Sequence, residues 1–483
     1  MSNLSDLLPA GASAKSITAT DSGSGITSGK PVILETAGTV TQVALVAASD
    51  VGTPVVFEPA SSAYFSATFD SNSNKVVIAY KDTANSSYGT AVVGTVSGTA
   101  ISYGTPVVYV SSAVIAVSST FDSDSNKVVI AYNSTYGYGI VGTVSGTAIS
   151  FGTAAVLNSA SSNWLSATFD SSSNKVVIAY QDLGNSYYGT AIVGTVSGTS
   201  ISFGSEVVFE TASTNYISAT FDSNSNKTVI AYTDGGNSFH GTGIVGTVSG
   251  TAISFGTPVV FEAADTGWIS ATFDSDSNKV VIAYKDGGNS DYGTSVVGTV
   301  SGTAISFGTA VIFETASTNN IGATFDSNSN KVVIAYSDGG NSLYGTVIQG
   351  TVSGTSISYG STVVFESANV YQVTATFDSG SNKVVIAYQD GLNSYYGTGV
   401  VYSTSTTNLT ATNFLGIADE TISSSASGVI VVQGGTSAKL TSLTIASNYY
   451  VQPGGTFGTS ASTPSVKAGL AISTTALLLS GDS

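Results

Sequence analysis

The sequence predicts an all-β protein, and three observations carry that prediction. Gly, Ser, Thr, Val and Tyr dominate a chain of 483 residues in which only 9% are charged, a usage that suits strands and tight turns and leaves little room for amphipathic helices. Hydrophobic residues make up 42%, which allows a substantial core. The third observation is internal self-similarity. Phe-Asp-Ser recurs at Phe69, Phe121, Phe169, Phe221, Phe273, Phe325 and Phe377, at intervals of 52, 48, 52, 52, 52 and 52 residues. A period of about 50 residues is that of a propeller blade and is too long for one coil of a β-helix.

Each repeat carries four strand signals separated by turn residues. In the middle copy they are A at 216–221, B at 227–232, C at 241–248 and D at 253–262. The polar run Asp222-Ser-Asn-Ser-Asn226 joins A to B, and Ser249-Gly-Thr-Ala252 joins C to D. D-type strands recur at 52–58, 104–110, 152–158, 204–210, 256–262, 308–314 and 360–366. The first of these precedes the first A strand, and the last repeat ends after its C strand near Val401. Pairing the leftover D strand with the unpartnered C strand completes seven four-stranded sheets and removes an open edge. The predicted fold is therefore a seven-bladed β-propeller over residues 46–404, closed by its N-terminal strand.

The order of these strands resembles that of sialidase-like propellers. The Asp-box signature of those enzymes is missing from 249–256 and its sister segments. Their substrate-gripping arginine triad has no counterpart, because all 13 basic residues here are lysine. Sialidase activity is excluded.

Strands that alternate in direction sort the connections onto two faces. The A–B turn is Asp-Ser-X-Ser-Asn-Lys in every copy, and the C–D turn stays near Ser-Gly-Thr. The other face varies. At the start of strand A the aligned residues are Tyr64, Ala116, Trp164, Tyr216, Trp268, Asn320 and Gln372. In the B–C loop, the residue before the Tyr-Gly step, or before its His-Gly counterpart, is Ser87, Tyr187, Phe239, Asp291, Leu343 or Tyr395, and the second repeat is shortened there. Aromatic rings beside hydroxyl, amide and carboxyl groups suit sugars or protein surfaces, which makes Tyr64, Trp164, Tyr216, Trp268, Tyr187, Phe239 and Tyr395 the candidate binding residues. The alternative is that these rings only fill space between blades. The chain should enter the first D strand and leave the last C strand on the constant-loop face.

No catalytic, metal or cofactor site is expected. His240, the one histidine, stands in a slot that is tyrosine in the other repeats, so it reads as a structural substitution and not as a general base. Asp82, Asp182, Asp234, Asp286, Asp338 and Asp390 end strand B once per repeat, which suits a turn cap better than the paired carboxylates of a glycosidase. The turns at Asp122 and Asp274 resemble the start of a calcium loop but lack its glycine and distant glutamate. The net charge of −17 and the absence of arginine argue against nucleic acid as a partner. No apolar run approaches the ~20 residues of a membrane span, so membrane insertion is not expected. Without cysteine there is no disulfide framework, and residues 1–16 do not read as a secretory signal.

Segments 1–45 and 405–483 lie outside the repeats and carry strand-like runs at 30–35, 38–43, 413–417, 428–433, 449–451 and 468–479. Neither segment alone has much core, so together they should form one small β-domain into which the propeller is inserted. The opening Met1-Ser-Asn-Leu-Ser-Asp-Leu-Leu-Pro-Ala-Gly11 resembles the starts of structural proteins of tailed bacteriophages. Asn413-Phe-Leu-Gly-Ile-Ala418, Asn448-Tyr-Tyr-Val451 and Ala468-Gly-Leu-Ala-Ile-Ser473 are similar to a small β-module of phage tail and head fibres, in which the counterparts of 30–43 and 408–433 are nearly contiguous. The resemblance is confined to the terminal segments. It implies a virion appendage (tail fibre, head fibre or capsid decoration) assembled in the host cytoplasm and docked on other virion proteins through the terminal module. The propeller would then face a host surface glycan or protein, and the analogy with fibres implies a homotrimer. The competing expectations are a cell-surface or secreted lectin or adhesin and, last, a glycosidase of unfamiliar type.

Overall fold

The structure is a computed structural model that describes residues 16–35, 38–47, 49–410, 412–452, 454–459 and 466–480. The opening string from Met1 to Gly11 lies outside the described residues. The chain divides into two compact units, Asp50–Thr404 and a second one made of Met1–Ser49 with Ser405–Ser483.

The larger unit consists of repeated antiparallel sheets. Its fourth repeat is typical. Strand B, Lys227–Asp234, pairs on one side with the end of Val207–Asp222 and on the other with strand C, His240–Ser249. Strand C pairs in turn with the short Ala252–Phe255 and then with the start of Val259–Asp274. The expected D strand is thus two pieces, broken at residues 256–258. Its second piece does not end in a loop: in five places D and the following A are one strand of 16 residues serving two sheets. Three register shifts, two against strand C and one against strand B, absorb the change of partner, so the backbone moves from strand C of one repeat to strand B of the next without losing its ladder.

Strand B explains why the repeats stack. Val176, Val177, Ile178, Ala179 and Tyr180 are all fully buried, so the run is apolar without alternation. Its two faces meet different neighbours. Ile230 and Tyr232 pack with Val177 and Ala179 of the preceding repeat, while Val229 and Ala231 pack with Val280, Ile282 and Tyr284 of the following one. The same pattern joins the seventh repeat to the first, where Val385, Ala387 and Val401 pack with Val76, Ile78 and Tyr80. Burying one such aliphatic side chain is worth roughly 1.5–3 kcal/mol, so each junction is held by a substantial apolar core.

The N-terminal segment at 50–58 lies on the C strand of the seventh repeat, with Gly397 opposite Glu58, Thr398 opposite Val56, Gly399 opposite Val55 and Tyr402 opposite Val51. Ser403 is opposite Asp50, so the chain enters and leaves this unit side by side, at the end where strand B begins.

The smaller unit interleaves both terminal segments. One sheet runs in the order Ser16–Thr20, Ser427–Val432, Phe414–Ala418, Pro31–Leu34, Val40–Gln42. The other holds Thr436–Ser437, Leu477–Leu479, Lys467–Ala471, Asn448–Val451 and Phe457–Gly458. Ile33, Val43 and Ile417 of the first share a core with Tyr449, Val451, Ala468 and Leu477 of the second. The run expected at 468–479 is a hairpin, because Ile472 donates its N–H to the Ala476 carbonyl and the chain reverses. The buried Asp21 carboxylate accepts N–H groups from Gly23, Gly25 and Ser425, tying one segment to the other. Burial pushes its pKa up, but these backbone donors, with Ser22, outweigh burial and hold it below the usual aspartate value.

A glycine stands just before the break in each D strand because the backbone there approaches the next repeat. A side chain at Gly204 would collide with the carbonyl oxygen of Thr251 in the neighbouring C–D turn, and Gly52, Gly104, Gly152, Gly256 and Gly308 meet the equivalent threonines. The seventh repeat has no C–D turn beyond it, and at Gly360 the nearest atom to such a side chain would be 3.7 Å away. Gly204→Ala is therefore expected to cost about 1–3 kcal/mol of overpacking. Gly360→Ala should stay within about 0.5 kcal/mol. Urea melts of both variants measure the contrast, and equal losses would refute the inter-repeat contact.

Candidate functional site

The constant end of the repeats is built from local bonds. In the fourth repeat Asp222 accepts the N–H groups of Asn224 at 2.9 Å and Ser225 at 3.0 Å, and Asn226 takes φ of +55° to close the hairpin. At the other end Asp234 accepts the Gly236 N–H at 2.8 Å. Asp82, Asp182, Asp286, Asp338 and Asp390 do the same in their own loops. Each of these aspartates is a turn cap in geometry.

The candidate aromatics occupy unusual backbone. Tyr64, Trp164, Tyr216 and Trp268 have φ between +47° and +55°, as do Asn320 and Gln372. Each sits where the pairing of strands A and B shifts register, and the extra residue throws the side chain out of the ladder. Ala116 differs: its strand pairs without a shift from Ala116 opposite Asn133 to Asp122 opposite Lys127.

A chain of hydrogen bonds puts these positions at one level in consecutive repeats. The serine two residues further along each A strand accepts an N–H from the next repeat. Ser119 donates to Ser66, Ala167 to Ser118, Ala219 to Ser166, Ala271 to Ser218 and Ala323 to Ser270, all at 2.8–2.9 Å. The sixth repeat has Gly322 in the serine slot. There the link moves two residues back, with the Gln372 N–H donated to the Asn320 side chain at 3.0 Å and the Tyr64 N–H to the Gln372 side chain at 3.1 Å.

Within this ring Trp164, Tyr216 and Trp268 form a continuous aromatic arc, with centroids 4.3 and 5.6 Å apart. Tyr216 and Trp268 also pack onto the apolar cores beneath them, so both readings of these rings hold in part. Trp164 is 37% exposed and Tyr64 38%, the latter with the Lys81 ammonium 5.5 Å from its ring centre. Tyr187, Phe239 and Tyr395 lie in the B–C loops with φ of +62° to +63° and are about half exposed. Tyr395 meets Tyr371 at 6.0 Å. Among the described residues, no ring contact joins Tyr187 or Phe239 to the arc, so the candidates divide into an inner ring and an outer set.

A feature not foreseen is a tyrosine–glutamate bond near the same end. The buried Tyr80 hydroxyl donates to Glu58, Tyr232 to Glu210, Tyr284 to Glu262, Tyr336 to Glu314 and Tyr388 to Glu366, at 2.9–3.0 Å. Each bond joins strand B of one repeat to strand D of the one before. In the third repeat the glutamate slot holds Asn158, and Tyr180 donates instead to Glu206. In the second repeat it holds Val110, and burial, with Tyr138, pushes the Tyr132 hydroxyl up to about 12. The signal was available, since the tyrosine recurs in all seven repeats and the glutamate in five. Only their meeting across the junction was not.

No protein-family model matches this chain, and no curated protein matches it in sequence. Among solved structures it is similar to the BP39L lectin from Burkholderia pseudomallei, with a TM-score of 0.54 and 12% identity over 76% of this chain and 100% of that one. The likeness is one of fold. It places the chain among all-β repeat folds of the β-propeller-like kind found in that lectin. Looser similarities are to Saccharomyces cerevisiae Sqt1, with a TM-score of 0.43 and 11% identity over 74% of this chain and 99% of that one, and to the SapL1 lectin in complex with alpha methyl fucoside, with a TM-score of 0.40 and 13% identity over 60% and 94%.

The half-buried glutamates give the larger unit a pH response. Burial raises the carboxyls of Glu58, Glu210, Glu314 and Glu366 above 4.5, the neighbouring aspartates add to the rise, and the tyrosine hydroxyls oppose it. An acid whose folded pKa is raised holds more protons folded than unfolded, so stability falls as pH rises between the two values. The melting temperature of this unit is therefore expected to climb as pH is lowered from 7 toward 4.5. A variant with Gln at all four positions keeps the acceptor for each tyrosine and should show a flatter profile by calorimetry. An unchanged slope would refute the assignment.

Proposed function

We propose that residues 50–404 form a closed seven-bladed β-propeller that binds carbohydrate on the face carrying the B–C loops, and that the smaller unit is the attachment module of a virion appendage. The observation that carries the binding function is the arc of Trp164, Tyr216 and Trp268 beside the exposed Tyr64. Pyranose rings present apolar C–H faces and polar edges, and a partly exposed aromatic ring flanked by polar groups complements both. Blade packing needs a ring of one kind at every junction. Here the same backbone position holds Tyr, Ala, Trp, Tyr, Trp, Asn and Gln, while the turns at the opposite end stay constant.

Three facts support the closed seven-bladed ring: the pairing of 50–58 with the seventh repeat, the apolar junction between repeats seven and one, and the Tyr64–Gln372 bond at the same junction. The likeness in fold to BP39L, a lectin, agrees with a carbohydrate ligand. The virion role rests on the resemblance of the terminal strings to phage fibre modules.

Binding of the intact protein to an array of bacterial surface glycans tests the first part. Retention is expected, and Trp164→Ala should weaken it by about tenfold, the upper end of what one aromatic contact supplies. No retention of any glycan would overturn the carbohydrate reading. Mass spectrometry of purified phage particles tests the second part. The chain should be present in stoichiometric amount, and its recovery only from cell-surface fractions would replace the virion role with that of a cellular lectin.

A further inference from the structure

The inner ring is uneven: at one of its positions the side chain shrinks to a methyl group. Going round, Trp268, Tyr216 and Trp164 stack on one another, Asn320 and Gln372 spend their side-chain oxygens on the backbone of the next repeat, and Tyr64 follows. Between Tyr64 and Trp164 the ring holds only Ala116, itself buried. The serine bonds from Ser66 to Ser119 and from Ser118 to Ala167 fix these three positions at one level in adjacent strands.

Two separate features open this gap. The second repeat lacks the bulge that lifts the other six residues out of their strands, so position 116 contributes only a methyl group and no displaced backbone. The same repeat is 48 residues long, and its B–C loop is the shortened one, which lowers the rim beside the gap. Trp164 is covered by Tyr216 on one side, and Tyr64 makes no ring contact among the described residues. Trp164 and Tyr64, both partly exposed, therefore flank a position whose side chain is a methyl group, with the exposed Ile115 next to it in the chain.

We propose that this gap seats a single uncharged pyranose ring between Tyr64 and Trp164, one per chain. The proposal rests on the carbohydrate reading above and specifies its site, stoichiometry and ligand charge. Charge selects the ligand class. Residues 50–404 hold 24 acidic residues against nine lysines, and seven of those lysines begin strand B at the opposite end. The six capping aspartates lie at the slot's end of the repeats, with only Lys81 and Lys285 among them. A sialylated, sulfated or uronic sugar meets a repulsive field there, whereas a neutral hexose does not. Lys81, already over Tyr64, is placed to donate N–H groups to sugar hydroxyls at the slot's edge.

Both tryptophans of the chain lie in the inner ring, so intrinsic fluorescence reads the slot directly. In a Trp268→Phe background, excited at the red edge where tyrosine does not absorb, only Trp164 emits. Titration of that protein with methyl glycosides of glucose, galactose, mannose, fucose and N-acetylglucosamine should give a saturable change for at least one of them. Calorimetry on the wild-type chain should return one site. Ala116→Met, which enlarges that side chain without a charge, should weaken binding at least tenfold, while Ile445→Ala, an exposed position of the smaller unit, leaves it unchanged. Should Ala116→Met lower the melting temperature, Tyr64→Ala provides the same test from the exposed wall. Unaltered affinity in both variants, or several equal sites lost with Tyr187, Phe239 and Tyr395, would overturn the slot and leave carbohydrate binding standing. No binding of any glycoside, charged or neutral, would overturn both.

Discussion

Everything in the larger unit depends on strand B being buried on both faces. A strand with one wet face alternates, and its repeats could stand alone as separate hairpins. The Lys-Val-Val-Ile-Ala-Tyr run cannot, because its even and odd side chains need different apolar neighbours. Val229 and Ala231 find theirs in the following repeat, Ile230 and Tyr232 in the preceding one. Each copy is therefore incomplete by itself, and the array is stable only when every junction has been made. That requirement also gives the first and last copies a reason to meet, since either would otherwise expose a full apolar face at Val76, Ile78 and Tyr80 or at Val385 and Ala387.

From this constraint follows the division between what stays fixed and what varies. The glycine before each D-strand break, the threonine it approaches and the serine that accepts an N–H from the next repeat all lie in junctions, where a change in one copy disturbs two. The tyrosine–glutamate bond is of the same kind. Where Glu is lost at position 158, Glu206 supplies the carboxylate from a different place, so the buried hydroxyl keeps its partner. The residues at the start of strand A are less uniform. The bulge lifts six of the seven out of the ladder, and different side chains are seated there, Tyr216 and Trp268 packing on the cores and Asn320 and Gln372 bridging to the next repeat.

The inner ring is where that variation lies. Its seven positions align in sequence, six of them on the same bulge, but they differ in chemistry, which turns a repeated scaffold into an asymmetric surface. An aromatic arc occupies one part, two amides another, and a gap a third. The aspartate caps recur in six of the seven repeats because they are structural, and in the second repeat strand B ends on Asn133 instead.

Much of this was legible in the chain itself. The 52-residue period, the four strand signals and the leftover D strand at 52–58 are consequences of local pattern, because period-2 strands and Asp-Ser-X-Ser-Asn turns act over a few residues. The variable positions could be read by aligning the copies against one another. What only the tertiary structure decided is who meets whom across a junction. Sequence could not show that Glu58 lies against Tyr80, that the rings of Trp164 and Tyr216 meet while Tyr187 and Phe239 stand apart, or that the strand at Ala116 lacks the bulge of the other six. Nor could it show that D and A are one strand, since the register shifts that let Val207–Asp222 serve two sheets exist only against their partners. Local chemistry sets each element, but a gap is defined by the residues on either side of it, and here those sides are a hundred residues apart along the chain.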